Sequence, residues 1–274
     1  MIMPDSMSQL GNGASGGGGR VRGPVGVILA AGKGTRMKSD LPKVVHEVAD
    51  RPMVAWVVDA CRAAGFTRTI LIVGHKQEVV REVFEGDRTV DYAVQAEQLG
   101  TGHAVQCAID LLRNVDGEVV VLAGDGPLVR AETLKKVIDK HRASKAAATI
   151  ATSVVDDPTG YGRIIRDANG RFAAIVEDKD ATDAQKKVRE INPSIYCFDA
   201  HKLVERLPRL SNANAKGEYY LTDIPGMLRD DGEVVEVVDA MPPEDILSIN
   251  TPEQLGEVDS ILRGRLRKAE GARA

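Results

Sequence analysis

A chain of 274 residues with a formal charge of −4 can bury a sizeable core as one large domain with appendages, and it has no basic excess to suggest nucleic acid as a partner. No segment approaches the ~18 consecutive apolar residues of a membrane-spanning helix. Cys61, Cys107 and Cys197 lie far apart without C-x-x-C spacing, and the five histidines form no H-x-x-x-H pair, so the pattern excludes a recognisable zinc site and suits reduced thiols in the cytoplasm.

Residues 1–23 include Gly-Asn-Gly-Ala-Ser-Gly-Gly-Gly-Gly, which cannot offset its ordering entropy by burial; a disordered tail without the apolar core of a signal peptide is expected. A folded domain is expected over 24–262 and a basic, frayed tail over 263–274. Val25–Ile28 reads as a buried strand, and the chain then meets Gly32 and Gly34 among Lys33, Arg36 and Lys43. A glycine-rich turn after a strand lets backbone N–H groups converge on an anion, so the turn at Gly32 and Gly34, with positive charge from Lys33, Arg36 and Lys43 around it, is expected to form a phosphate-binding loop. An ordinary tight turn with solvated lysines is the plainer alternative.

Pro52–Ala64 has apolar residues at helical spacing and is closed by Gly65, with Trp56 expected in the core. Thr69–Val73 and Val90–Val94 read as strands around a short helix at Lys76–Phe84. This βαβαβ alternation predicts an α/β fold with a doubly wound, mostly parallel, Rossmann-like sheet and a nucleotide site at the carboxyl ends of its strands. The G-x-G-x-x-G spacing of a dinucleotide fold is absent. Gln95 and Gln98 can each donate and accept, as reading a base edge requires, while Gly100 permits close backbone approach and Thr101 is placed to cap the next helix. A polar strand-to-helix loop explains the same residues.

Glu118–Ala123 reads as a central strand, and Gly124-Asp125 follows at its carboxyl end. Asp125 is a candidate Mg²⁺ ligand, since magnesium typically takes one or two protein carboxylates plus phosphate and water; a turn or cap residue is the alternative. Ala131–Ala143 reads as a helix, Ala147–Val154 as a strand, and Ile164–Arg166 with Phe172–Val176 as a hairpin turned at Asn169-Gly170. Glu190–Phe198 is a strand interrupted at Pro193, Val234–Val238 another strand, and Asn250 stands just ahead of a helix from Pro252.

Leu29–Lys43, LAAGKGTRMKSDLPK, resembles the signature L-x-x-G-x-G-T-R-M-x-x-x-x-P-K of the sugar-1-phosphate nucleotidylyltransferases, and most closely that of the uridylyltransferase half of bifunctional bacterial enzymes that make UDP-N-acetylglucosamine. The strings Q-x-E-Q-x-G-T-G-H-A from Gln95, G-D-x-P-L from Gly124, D-D-P-T-G-Y-G-R-I from Asp156 and N-x-N-A-x-G-E-Y-Y-x-T-D from Asn212 extend the resemblance from about Val25 to Ile261. It implies Mg²⁺-dependent transfer from UTP to N-acetyl-α-D-glucosamine 1-phosphate, releasing pyrophosphate, in cytoplasmic synthesis of cell-envelope precursors. By resemblance, Leu29, Ala30, Ala31, Gly32 and Arg36 hold the triphosphate, and Lys43 neutralises the reacting phosphates. Gln95, Gly100 and Thr101 read uracil, and Gly124 and Asp125 line the nucleotide site. Asp125 and Asn250 hold Mg²⁺, while Gly162, Glu177, Asn192 and Asn250 place the sugar.

The chain departs from that pattern at Ala123, where relatives usually carry tyrosine, and at Pro193-Ser194, where they continue Thr-Gly. These departures leave open another sugar 1-phosphate, such as glucose 1-phosphate, or a regulatory module that binds a nucleotide sugar with weak catalysis. No hexapeptide repeat is present, so neither the acetyltransferase β-helix of the bifunctional enzymes nor a trimer driven by it is expected, and a homo-oligomer built otherwise stays open.

Overall fold

The apolar runs become strands because both of their faces are buried. In Val25–Leu29 (β1) and Glu118–Ala123, alternate residues enter opposite cores: Val25, Val27, Val119 and Val121 on one side of the sheet, Ile28, Val120 and Leu122 on the other. The computed structural model describes residues 20–214 and 216–272, and their central feature is one ten-stranded mixed sheet. Its further strands are Arg68–Val73 (β2), Val90–Val94 (β3), Glu118–Ala123 (β4), Ala148–Val154 (β5), Gly162–Arg166 (β6), Phe172–Val176 (β7), Glu190–Asn192 (β8), Tyr196–Asp199 (β9) and Val235–Asp239 (β10).

The strand order is β7-β6-β8-β5-β9-β4-β1-β2-β3, with β10 parallel to β5. Strands β4, β1, β2 and β3 form an all-parallel block. The reversed strands β7, β8 and β9 lie in the other half, so seven of the ten strands run one way. The expected doubly wound, mostly parallel sheet is thus the observed one. Sequence order reverses at β1, whose neighbours β2 and β4 lie on opposite sides, and a crevice opens at such a switch point beyond the carboxyl ends of the strands.

Met53–Ala63 (α1), Ala131–Ser144 (α3) and Pro252–Gly271 (α6) pack on one face. Thr101–Gln106 (α2), Ala200–Arg206 (α4) and Asp223–Asp230 (α5) pack on the other. Helices α4 and α5 are not evident in the sequence: α4 follows β9 with no loop, and α5 contains Pro225-Gly226. Proline is tolerated there because N–H groups in a helix's first turn have no intrahelical partner.

Several expectations change at the edges. Of the tail expected over 1–23, the described part includes Val21–Arg22, which pairs in parallel with Val115–Asp116; residues 1–19 lie outside the described residues. The basic tail expected from 263 is instead the second half of α6. Two of its cations are held by acids, Arg263 by Asp50 and Asp259 and Arg265 by Asp245. Trp56 is only half-buried: its indole donates to the Val48 carbonyl at 2.8 Å, and the Arg51 guanidinium covers its ring.

Asp245 is 0% exposed and is gripped by Arg130, at 2.6 Å to Nε, and by Arg265. Arg265 also donates to the Leu128 carbonyl, so this carboxylate ties α6 to the segment that follows Asp125. Breaking a buried ion pair from one side leaves desolvated charge behind. Asp245→Ala should therefore lower unfolding free energy by about 3 kcal/mol, measured by denaturant titration.

Candidate functional site

The crevice is built from segments that leave the sheet together. Beyond Leu29, Ala30 donates to the Ile72 carbonyl and Gly124 donates to the Leu29 carbonyl, so the loops after β1 and β4 start side by side. At Gly34, φ is 64° and a Cβ would stand 2.6 Å from the Lys43 Cβ; only glycine lets the loop fold back against Lys43. Ile249 donates its backbone N–H to the Asp125 carbonyl at 3.0 Å. Asn250 follows, its own N–H held by Gln254 Oε1 at 2.8 Å, while Thr251 caps α6 by accepting from the Gln254 N–H.

These backbone constraints bring four predicted residues to one point. Lys43 Nζ donates to an Asp125 carboxylate oxygen and to Asn250 Oδ1 at 3.0 Å. Arg36 Nη2 donates to the same Asn250 oxygen at 2.8 Å, across 214 positions of sequence. The Asn250 amide nitrogen donates to Ser248 Oγ at 3.2 Å, which fixes the oxygen toward the cations. The Lys43 and Asp125 side chains are 16% and 15% exposed, so their attraction is only partly screened yet open to a ligand.

The donor set fits magnesium. One carboxylate and one amide oxygen, both hard ligands, lie within bonding reach of a single atom, Lys43 Nζ. Among the described residues no group of three or more His, Cys, Asp or Glu could hold a metal, so a cation here would complete its shell with phosphate or water oxygens.

A cavity of about 320 Å³ opens beside this cluster, lined by Leu29, Ala31, Gly32, Gln95, Gln98, Gly100, Thr101, Ala123 and Glu218. Gln95 is 4% exposed, and its amide nitrogen donates to the Gly100 carbonyl at 3.0 Å and lies 3.1 Å from His103 Nδ1. That nitrogen braces the loop from within and is not free to read a base. Thr101 does not cap α2, whose N-cap is Gly100; its hydroxyl accepts from the Leu221 N–H at 3.1 Å. At Gly100, φ is 110° and a Cβ would lie 2.5 Å from the Tyr219 carbonyl oxygen, so the Gln95–His103 loop is zipped against Tyr219–Leu221. Ala123 stands opposite Leu29 in the sheet register, on the wall where a larger side chain would narrow the cavity.

A second cavity of about 200 Å³ shares Leu29, Thr101 and Glu218 with the first and is lined further by Glu177, Ser194, Tyr196, Lys216 and Thr222. Glu177 is on this wall, and Thr222 donates to it at 3.4 Å. Gly162 and Asn192 are not; they are paired across β6 and β8 and buried behind it. The Asn192 amide donates to Tyr196 Oη at 2.6 Å and accepts from the Ser194 N–H at 3.2 Å. Of the wall residues, Tyr196 is not singled out by the sequence; Ser194 is marked as a departure from the family pattern, and Glu218 lies in the string from Asn212 whose acidic and tyrosyl residues are read as framing the sugar side. A larger open groove of about 920 Å³ between α1, residues 127–132 and α6 holds none of the predicted site residues.

A family model described as nucleotidyl transferase matches residues 25–251, a span that contains all the residues of this crevice from Leu29 to Asn250. The chain belongs to the nucleotidyl transferase family. It is 46% identical over 243 residues to the bifunctional protein GlmU of Geotalea uraniireducens, covering 89% of this chain and 53% of that one. It is 49% identical over 247 residues to the protein of the same name from Thermoanaerobacter pseudethanolicus, covering 90% and 53%. The chain thus spans about half the length of these relatives. Among solved structures, one assigned as a glucose-1-phosphate thymidylyltransferase of Bacillus anthracis, with sucrose bound, superimposes with a TM-score of 0.71 at 22% identity, over 88% of this chain and 96% of that one. At that identity the likeness establishes the nucleotidyl transferase fold.

Burial lifts the Glu177 carboxyl above its ordinary 4.5, with the Lys216 charge and the Thr222 hydroxyl opposing. The folded state then binds a proton more tightly than the unfolded chain, so stability falls as pH rises from about 4.5 through the native value and stays lowered at neutral pH. Glu177→Gln should melt above the parent at pH 7, and the gain should shrink toward pH 4; calorimetry at both pH values checks this.

Proposed function

We propose that this crevice transfers a uridylyl group from UTP to N-acetyl-α-D-glucosamine 1-phosphate, giving UDP-N-acetylglucosamine and pyrophosphate for cell-envelope precursor synthesis in the cytoplasm. The observation that carries the reading is the convergence of Arg36, Lys43, Asp125 and Asn250 at the mouth of two joined cavities. The high identity to proteins named bifunctional protein GlmU supports it. Among the described residues no helix is long and apolar enough to cross a membrane.

In this reading a sugar-phosphate oxygen forms a bond to the α-phosphorus of UTP, and the bond to the pyrophosphate oxygen breaks. The nucleophile is already ionised at neutral pH, so no general base is needed and the work is positioning and charge neutralisation. Loop residues Leu29–Gly32 enclose the triphosphate with Arg36, the Ala31 and Gly32 N–H groups facing it while Ala30 spends its own on the Ile72 carbonyl. Lys43 faces the phosphates undergoing exchange, and Gln95, Gly100 and Thr101 shape the uracil end. Gly124 allows β4 to close on β1, where a Cβ would press the Leu29 carbonyl at 3.0 Å. Asp125 and Asn250 would hold Mg²⁺, which supplies charge neutralisation when bound. Lys43 holds both of these oxygens, so a bound cation would have to take the place of the ammonium on them. Glu177 meets the sugar, while Gly162 and Asn192 act from behind the wall.

Ala123 and Ser194 favour one second reading: the same transfer with another sugar 1-phosphate such as glucose 1-phosphate. The test is pyrophosphate release with Mg²⁺ across four nucleoside triphosphates and N-acetylglucosamine, glucosamine and glucose 1-phosphates. Release chiefly from UTP with N-acetylglucosamine 1-phosphate is expected; another pair reassigns the pocket, and none from folded protein that binds UTP points to a regulatory module. Asp125→Ala and Lys43→Ala should each lower kcat by ~100-fold or more, the scale of one lost preorganised charge-stabilising group. Near-normal turnover in either variant would sink the assignment.

A further inference from the structure

Gln95 is the first residue beyond β3, and its N–H donates to the Val73 carbonyl at the end of β2, so its backbone is set by the sheet. The side chain then turns back on its own loop. Its amide nitrogen donates to the Gly100 carbonyl at 3.0 Å and lies 3.1 Å from His103 Nδ1, in the first turn of α2. A carbonyl oxygen only accepts, so the nitrogen of the amide, and not its oxygen, must face Gly100. An amide nitrogen only donates, so His103 Nδ1 must accept. The ring is then neutral with its proton on Nε2, which lies 3.8 Å from Cys107 Sγ. Both hydrogens of the Gln95 amide are thereby spent inside the loop. Among the described residues Gln95 Oε1 has no partner, yet it is not one of the buried side-chain atoms sealed away without one. It therefore reaches open space, and the open space that Gln95 lines is the 320 Å³ cavity.

His103 itself lines neither cavity. We infer that His103 is a positioning residue for the nucleobase: its Nδ1 locks the Gln95 amide so that an acceptor alone is presented to the cavity. This rests on the proposed function and deepens it by naming a residue that selects the base from behind the wall. Uracil carries a ring N–H at N3, which the Gln95 oxygen accepts. Cytosine carries a lone pair there, so two acceptors would face one another and neither would be matched. Without an acceptor at position 103, one Gln95 N–H is left buried and unpaired. The amide then gains by turning that N–H toward the cavity, where it serves cytosine at the expense of uracil.

The test compares UTP with CTP, each with Mg²⁺ and saturating N-acetylglucosamine 1-phosphate, in the parent, His103→Phe and His103→Asn. Phenylalanine keeps a ring and removes the acceptor, while asparagine returns a carbonyl oxygen near the place of Nδ1. In His103→Phe the kcat/KM for UTP relative to that for CTP should fall ~5- to 10-fold, the worth of one neutral hydrogen bond. His103→Asn should keep that ratio within about twofold of the parent, and the KM for the sugar phosphate should stay within about twofold in both variants. A merely structural role would lower turnover of both nucleotides alike, so an unchanged ratio in His103→Phe overturns the inference, as does a ratio that falls equally in His103→Asn. If the parent turns over neither nucleotide, it is the proposed function that fails. His103 is then read by calorimetric titration of UTP and CTP. A narrower gap between their affinities in His103→Phe supports the inference, and an unchanged gap, or no binding of UTP by the parent, overturns it.

Discussion

One ammonium group joins parts of this molecule that lie far apart in sequence. Lys43 Nζ bonds both Asp125, at the end of β4, and Asn250, at the foot of α6. Each partner is itself fixed by the backbone bond from Ile249 to Asp125. The cluster of two cations, one carboxylate and one amide is therefore held by peptide geometry first and by charge second. Without a ligand the Lys43 ammonium is paired with the Asp125 carboxylate while the Arg36 guanidinium rests on a neutral amide, so the cluster keeps a net positive charge for an anion to meet.

The division of the sheet gives the two cavities their different character. The parallel block supplies loops rich in glycine and backbone N–H groups, which suit phosphates and a base. The half containing the reversed strands supplies side chains with hydroxyl and carboxylate groups, Ser194, Tyr196, Glu177 and Thr222, which suit a polyhydroxylated ring. Leu29, Thr101 and Glu218 belong to both walls, so a molecule spanning the two would lie across the switch point of the fold.

Much of this was legible in the residues. The buried strands announced themselves as apolar runs, and Gly34 and Gly100 stand where a Cβ would collide with Lys43 and with Tyr219. That Asp125 meets Asn250 was not derivable from spacing; it entered through resemblance to a family. What stayed hidden depended on register and partners. The pairing of Gly162 with Asn192 turns the asparagine inward and leaves Ser194 on the wall, and no local pattern around Pro193 decides between the two. The inward bond of Gln95 and the acid partners of the basic residues in α6 are likewise tertiary facts, set by groups distant in sequence.

Helix α6 runs without a break for 20 residues, which at 1.5 Å per residue makes a rod of about 30 Å. Asn250 sits immediately before one end of it, and Asp245 clamps it partway along through Arg265. Its Val258 and Leu262 are buried in the core, and Asp259 and Arg263 tie it to residues 49 and 50, so the helix is pinned on several sides and Asn250 starts from a fixed base.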